Sequence, residues 1–169
     1  MYLAAIDHKE VTMIKRIIGP HTKQTSSAKE DWLNLEAVAQ VEVTSEEPAQ
    51  PIESGLLPKS ESGWRAAQPG PQTVRLIFDQ PQSIKHLHLE FREHECGRTQ
   101  QFVLRWSSNG GRSYREIVRQ QYNFSPPDTT DEREDYRVDL DGVTNIELSI
   151  VPDISGGPAR ASLAQLRLA

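Results

Sequence analysis

The sequence predicts an all-β protein: an antiparallel jelly-roll β-sandwich of about eight strands behind an N-terminal arm. Three observations carry that expectation. Apolar and polar residues alternate in short runs, the period of a strand with one buried face. Gly, Pro, Asn and Asp punctuate those runs at short intervals, where the chain must turn. No segment shows the helical periodicity that a packed helical layer requires.

The first thirty residues stand apart as an arm or linker, and the sandwich is expected over 31–169. Met13 opens the run MIKRIIGPH, so translation starting there rather than at Met1 is one reading of the preceding segment. Ile14, Ile17 and Ile18 are suited to docking on the sandwich, and His21 to Lys29 reads as a linker. From Asp31 the pattern sharpens. Trp32, Leu33 and Leu35 make an apolar approach to a first strand at Ala39, Val41 and Val43. Pro48 and Pro51 stop it, because proline cannot donate to a ladder. A long loop from Pro48 to Pro71 follows, of the kind that is functional or covers a core end.

Val74, Leu76 and Phe78 form the next strand, with a turn at Asp79-Gln80-Pro81 before Leu87, Leu89 and Phe91. The central hairpin is the clearest element. Phe102, Leu104 and Trp106 alternate with polar neighbours, Ser107 to Gly111 reverses the chain, and Ile117 to Phe124 returns. A second long loop is expected from Ser125 to Asp135. Tyr136, Val138 and Leu140 should then pair across Asp141-Gly142 with Ile146, Leu148 and Ile150. A third loop spans Asp153 to Pro158, and Ala161, Leu163, Leu166 and Leu168 close the domain.

Composition narrows the function. A formal net charge of −5 argues against a nucleic-acid grip, which normally shows a basic surface. One cysteine, Cys96, excludes an internal disulfide, and no apolar run approaches the ~20 residues of a membrane span. The N-terminus lacks the basic and apolar regions of a signal peptide, so a cytoplasmic protein with no membrane partner is expected. His86, His88 and Glu90 alternate on one strand as metal ligands do, but Leu87, Leu89 and Phe91 claim the core. An ordinary solvent-facing strand surface is the simpler account, and no metal is assigned. Cys96 has only His94 nearby and lacks the setting of a nucleophile. Asp139 and Asp141 read as turn chemistry around Gly142. With no nucleophile elbow and no phosphate-cradling glycine loop, a non-enzymatic protein is expected.

The candidate ligand-binding residues are Trp64, Arg65, Arg98, Gln100, Arg119, Gln121, Tyr122 and Asn123. An indole can stack on the apolar face of a sugar ring, although Trp64 serves equally as a plug for the end of the barrel. Planar guanidinium and amide groups hold hydroxyl pairs or carboxylates through paired hydrogen bonds. The plainer reading pairs Arg98 or Arg119 with Glu134 or Asp135 to pin the second loop.

Several segments together resemble the galactose-binding-like β-sandwich of discoidin (coagulation factor C-type) domains and family-32 carbohydrate-binding modules. They are Pro51-Ile52-Glu53 with the glycine-containing loop to Trp64, the strand Gln72 to Phe78, and Ser83 to Leu87. Phe102 to Gly111, Val143 to Val151 and Leu163 to Leu168 complete the order. The resemblance implies a ligand site in loops at one end, with Arg98, Asn123, Trp64 and Tyr122 as counterparts of the family's arginine, asparagine and aromatics. Many members hold a structural calcium in the loop before the tryptophan. Glu53 stands there, but the usual aspartates do not, so neither calcium nor any other cofactor is assigned. The expectation is a non-catalytic module whose partner is a carbohydrate or similar polyol. The alternative is a cytoplasmic protein-interaction module using the same loops.

Overall fold

The computed structural model describes residues 31–169, and the expectations for Met13, for Ile14, Ile17 and Ile18 and for the linker lie outside the described residues. The elements, in order, are α1 (Leu35–Val38), β1 (Ala39–Val43), α2 (Glu53–Leu56), β2 (Trp64–Pro69) and β3 (Gln72–Arg92). They continue with β4 (Arg98–Ser107), β5 (Arg115–Phe124), β6 (Asp131–Val151), β7 (Arg160–Leu163) and β8 (Gln165–Leu168). The architecture is the expected all-β sandwich with all neighbouring strands antiparallel.

Two of the expected turns are not turns. β3 runs through Asp79-Gln80-Pro81, and β6 runs through Asp141-Gly142, each as one strand of 21 residues. The two pair with each other along their whole length, from Gln72 opposite Ile150 to Arg92 opposite Asp131. Tyr136 and Ile146 therefore pair with Leu87 and Leu76 rather than with their own strand. Register shifts between Ile77 and His86 mark where the polar turn residues sit. They bulge the ribbon instead of ending it, because bulges absorb extra residues by bending a strand.

The bend makes the sandwich. On one side of it the ribbon carries β1, and it also carries β4, which in turn pairs β5. On the other side it carries β8. Phe91, beyond the bend, meets Phe102 of β4 with ring centroids 5.1 Å apart, so the two halves face each other across one core. Leu76, Ile84, Leu87, Leu89, Leu104, Ile146, Leu148, Leu163 and Leu168 fill it. The β2–β7 pair forms a second small sheet beside it.

The loops shrink accordingly. The stretch expected as a loop from Pro48 to Pro71 holds α2 and β2, and the loop expected to reach Asp135 ends where β6 begins at Asp131. His86, His88 and Glu90 point away from the core as expected, yet His88 is half-buried and the other two do not face solvent. His86 is buried, with the Trp32 ring 4.9 Å from its own, and Glu90 is buried beneath Arg92 and Arg133. The segment before α1 lies along β8, donating from Leu33 N to the Leu168 carbonyl, and covers this outer surface.

Candidate functional site

An open cleft of about 500 Å³ lies at one end of the sandwich. Its walls come from the turn joining β3 to β4 (Glu93 to Gly97), from the β2–β7 pair, and from Gln50, Glu61, Ser62 and Asp153. Each wall has a local reason for its shape. Glu93 builds the turn: one carboxylate oxygen accepts from the backbone N–H groups of Glu95 (2.8 Å) and Cys96 (3.2 Å), and the other accepts from Arg98 Nε (2.8 Å). Burial alone would raise the Glu93 carboxyl, but those two backbone donors and the Arg98 guanidinium hold it below the usual carboxylate range. Asp153 starts the far wall. Its Oδ1 accepts from both the hydroxyl (2.7 Å) and backbone N–H (3.0 Å) of Ser155, which lowers that carboxyl too.

At the mouth, two arginines converge on one acid. Arg65 on β2 and Arg160 on β7 both approach Oε1 of Glu47. Arg160 donates a hydrogen bond to it, whereas Arg65 Nε stands 3.9 Å away and its guanidinium makes no hydrogen bond among the described residues. Both arginine side chains are 39% exposed. Hydrogen-bond donors are therefore held ready on the lining.

Of the eight residues expected to bind, three line this cleft: Trp64, Arg65 and Arg98. Of the three, only Arg65 has a side chain without a hydrogen bond among the described residues. Trp64 is 1% exposed and donates its indole N–H to the Ser45 carbonyl at 3.1 Å, so it plugs the core and offers no stacking face. Arg98 is fully engaged. Besides Glu93 it donates to the Pro152 carbonyl and to Gln100 Oε1 (3.3 Å), and it lies 5.3 Å from the centre of the Phe124 ring. It ties the β3–β4 turn to the end of β6, in place of the expected tie to Glu134 or Asp135. Gln100 is buried behind it.

The four candidates on β5 do not line the cleft. Arg119 pairs with Glu116 at 3.0 Å, again not with Glu134 or Asp135. Gln121 donates to Gln101, and Asn123 accepts from Thr99. Tyr122 donates its hydroxyl to the Asp131 carbonyl at 2.7 Å, joining β5 to β6. Sequence reasoning missed Glu47, Gln50, His94, Arg160 and Ser162. Glu47 and Arg160 are 113 positions apart, and no local pattern announces that pairing. Among the described residues no group of three or more His, Cys, Asp or Glu is arranged to hold a metal ion. Asp135 Oδ1 instead bridges His86 Nε2 (2.8 Å) and His88 Nδ1 (3.0 Å).

No family model matches the chain, and no curated protein matches it. Solved structures do. The family-32 module of NanJ from C. perfringens, in complex with galactose, superposes with a TM-score of 0.60 at 14% identity, covering 77% of this chain and 92% of that one. A family-32 module from Clostridium perfringens with GalNAc-β-1,3-galactose gives 0.55 at 19% identity, covering 77% and 94%. A pectin-binding carbohydrate-binding module gives 0.57 at 16% identity, covering 78% and 89%. The fold of this chain is the galactose-binding-like β-sandwich of the family-32 carbohydrate-binding modules.

Proposed function

We propose that this chain is a carbohydrate-binding module that takes its ligand in the cleft between the β3–β4 turn and the β2–β7 pair. The observation that carries the reading is the Arg65 guanidinium. It stands on the wall of an open cleft at one end of a sandwich whose structural neighbours were solved with galactose and GalNAc-β-1,3-galactose, and it holds no hydrogen bond of its own. A polyhydroxylated ring offers the paired acceptors that a guanidinium fork suits. The cleft binds rather than reacts, in this reading. Its walls are secured by Glu93 and Asp153, whose carboxylates are already committed to backbone and side-chain donors and held low. That is the opposite of a raised, proton-donating acid.

Titration calorimetry against a panel of mono- and oligosaccharides tests this. Saturable binding to at least one of them, weakened about tenfold in Arg65→Ala with an unchanged melting temperature, is expected. Absence of heat across the panel from folded protein would remove the reading.

A further inference from the structure

We infer that the saccharide bound in this cleft carries a carboxylate, seated between the guanidiniums of Arg65 and Arg160. The inference rests on the carbohydrate reading above and narrows it to acidic sugars of the uronic-acid type. β2 and β7 pair with Arg65 opposite Ser162 and Pro69 opposite Arg160, which brings both arginines to the same mouth. There they share a single carboxylate, Glu47, and that side chain is itself 26% exposed. Two positive charges against one negative leave a surplus cation at the mouth.

The other two arginines of the lining are neutralised, whereas Asp153 has hydrogen bonds from Ser155 but no ion pair among the described residues. Arg98 is matched by Glu93, and Arg92 by Glu90 and Asp131. Glu61 and Glu95 are exposed, and neither side chain has a hydrogen bond or ion pair among the described residues. They rule against a densely anionic ligand such as a polyphosphate, but they suit hydroxyl donors. One end of the cleft thus offers a fork for a carboxylate and its lining also offers acceptors for hydroxyls. A planar carboxylate matches a guanidinium edge with two parallel hydrogen bonds, and charge assistance strengthens both. A polyhydroxy acid satisfies the fork and the acceptors at once; a neutral sugar leaves the surplus cation unmatched.

The test is calorimetry at low salt with a galacturonic-acid trisaccharide and the galactose trisaccharide of the same linkage, on the wild-type protein and three variants. The acidic sugar should bind at least about tenfold tighter than its neutral partner, and added salt should erode the difference. Arg65→Gln should lose about tenfold for the acid and a smaller factor for the neutral sugar, whose hydroxyls a glutamine amide can still meet, so the preference for the acid narrows; Arg160→Gln should do the same. Glu47→Gln keeps an oxygen to position Arg160 while removing the competing charge, so it should bind the acid more tightly. Melting curves confirm that each variant is folded; Arg65→Gln carries the comparison if Arg160→Gln is not. Equal or tighter binding of the neutral trisaccharide overturns the carboxylate inference and leaves the carbohydrate reading standing. Silence from both trisaccharides overturns the inference, and silence extending over the wider sugar panel takes the broader reading with it.

Discussion

Arg75 and Glu147 face each other across β3 and β6, with Arg75 Nε donating to Glu147 Oε2 at 2.7 Å. The pair sits in a row of alternating charge that crosses the sheet: Glu42, Arg75, Glu147, Arg105 and Glu116 occupy opposed positions on β1, β3, β6, β4 and β5. Glu147 is the buried centre of the row and accepts from Arg105 as well. Its hydrogen bond is the first cause of the raised Arg75 guanidinium.

Removing the centre should cost more than removing a flank. Glu147→Ala strips two guanidiniums of their shared partner. They are 45% and 41% exposed, so they can turn to water, and the expected loss is about 1–3 kcal/mol. Arg75→Ala leaves Glu147 held by Arg105 and should cost only about 0.5–1.5 kcal/mol. Urea midpoints at constant slope measure both. Equal costs would mean that the buried carboxylate does not organise the row.

Trp64 should behave as a core residue. Trp64→Ala removes a wholly buried indole and is expected to destabilise by about 3–5 kcal/mol. Trp64→Phe keeps most of the packing but strands the Ser45 carbonyl, a loss of about 1–3 kcal/mol. Neither should change sugar affinity in the fraction that remains folded. A folded Trp64→Phe protein whose melting temperature is unchanged but whose binding is lost would return the indole to the ligand.

Strand periodicity explains why the fold was legible and the cleft only in part. Leu76, Leu89, Leu104 and Leu148 advertise their buried face by alternation, a local signal that survives whatever the strands pair with. The bends at Asp79-Gln80-Pro81 and Asp141-Gly142 carry the same residues as turns. Only the matching pattern of β3 and β6 over 21 residues each reveals a continuous ribbon. The sequence leaves two readings for Trp64 and for Arg98, a ligand contact or a structural role, and the structure gives both the structural one, Arg98 with other partners than Glu134 or Asp135. Two of their partners, the Ser45 and Pro152 carbonyls, are backbone groups that any residue could supply, so side-chain identity could not announce them, whereas Glu93, five residues before Arg98, is a charged partner within local reach. Arg65 differs because what marks it is the lack of a close partner, and that is visible only in three dimensions.

Two glycines separate backbone strain from crowding. Gly63 and Gly70 both hold positive φ, at 69° and 85°, so alanine is strained at either position by about 1–2 kcal/mol. A Cβ on Gly70 meets nothing, whereas one on Gly63 falls 2.8 Å from the Leu163 carbonyl oxygen. That oxygen is backbone of β7 and cannot swing aside. Gly63→Ala should therefore destabilise more than Gly70→Ala, and it should also weaken sugar binding, because it pushes the β2–β7 pair that forms one wall of the cleft. Side-by-side thermal melts and calorimetry on the two variants check this; matching melts would show that β7 yields.

Glu132 should make the protein less stable as pH rises through neutrality. It is 2% exposed on β6, and neither carboxyl oxygen finds a hydrogen-bond donor among the described residues. Burial first, and then the nearby Glu134 carboxylate, push its pKa up to about 8. Between the ordinary carboxylate value of 4.5 and about 8 the folded state therefore keeps a proton that the unfolded chain has released. Stability is full below that window and falls across it, by up to about 1.4 kcal/mol per pH unit. The depressed carboxyls of Glu93, Asp135 and Asp153 act in the opposite direction, losing their contribution only as pH drops through their own lowered values, so the windows do not overlap. Glu132→Gln has no proton to lose. It should melt close to wild type at pH 5 and several degrees higher at pH 8. Melting curves at both values decide: a wild-type protein as stable at pH 8 as at pH 5, with the variant offering no gain, would place the Glu132 carboxylate in contact with a donor or with water.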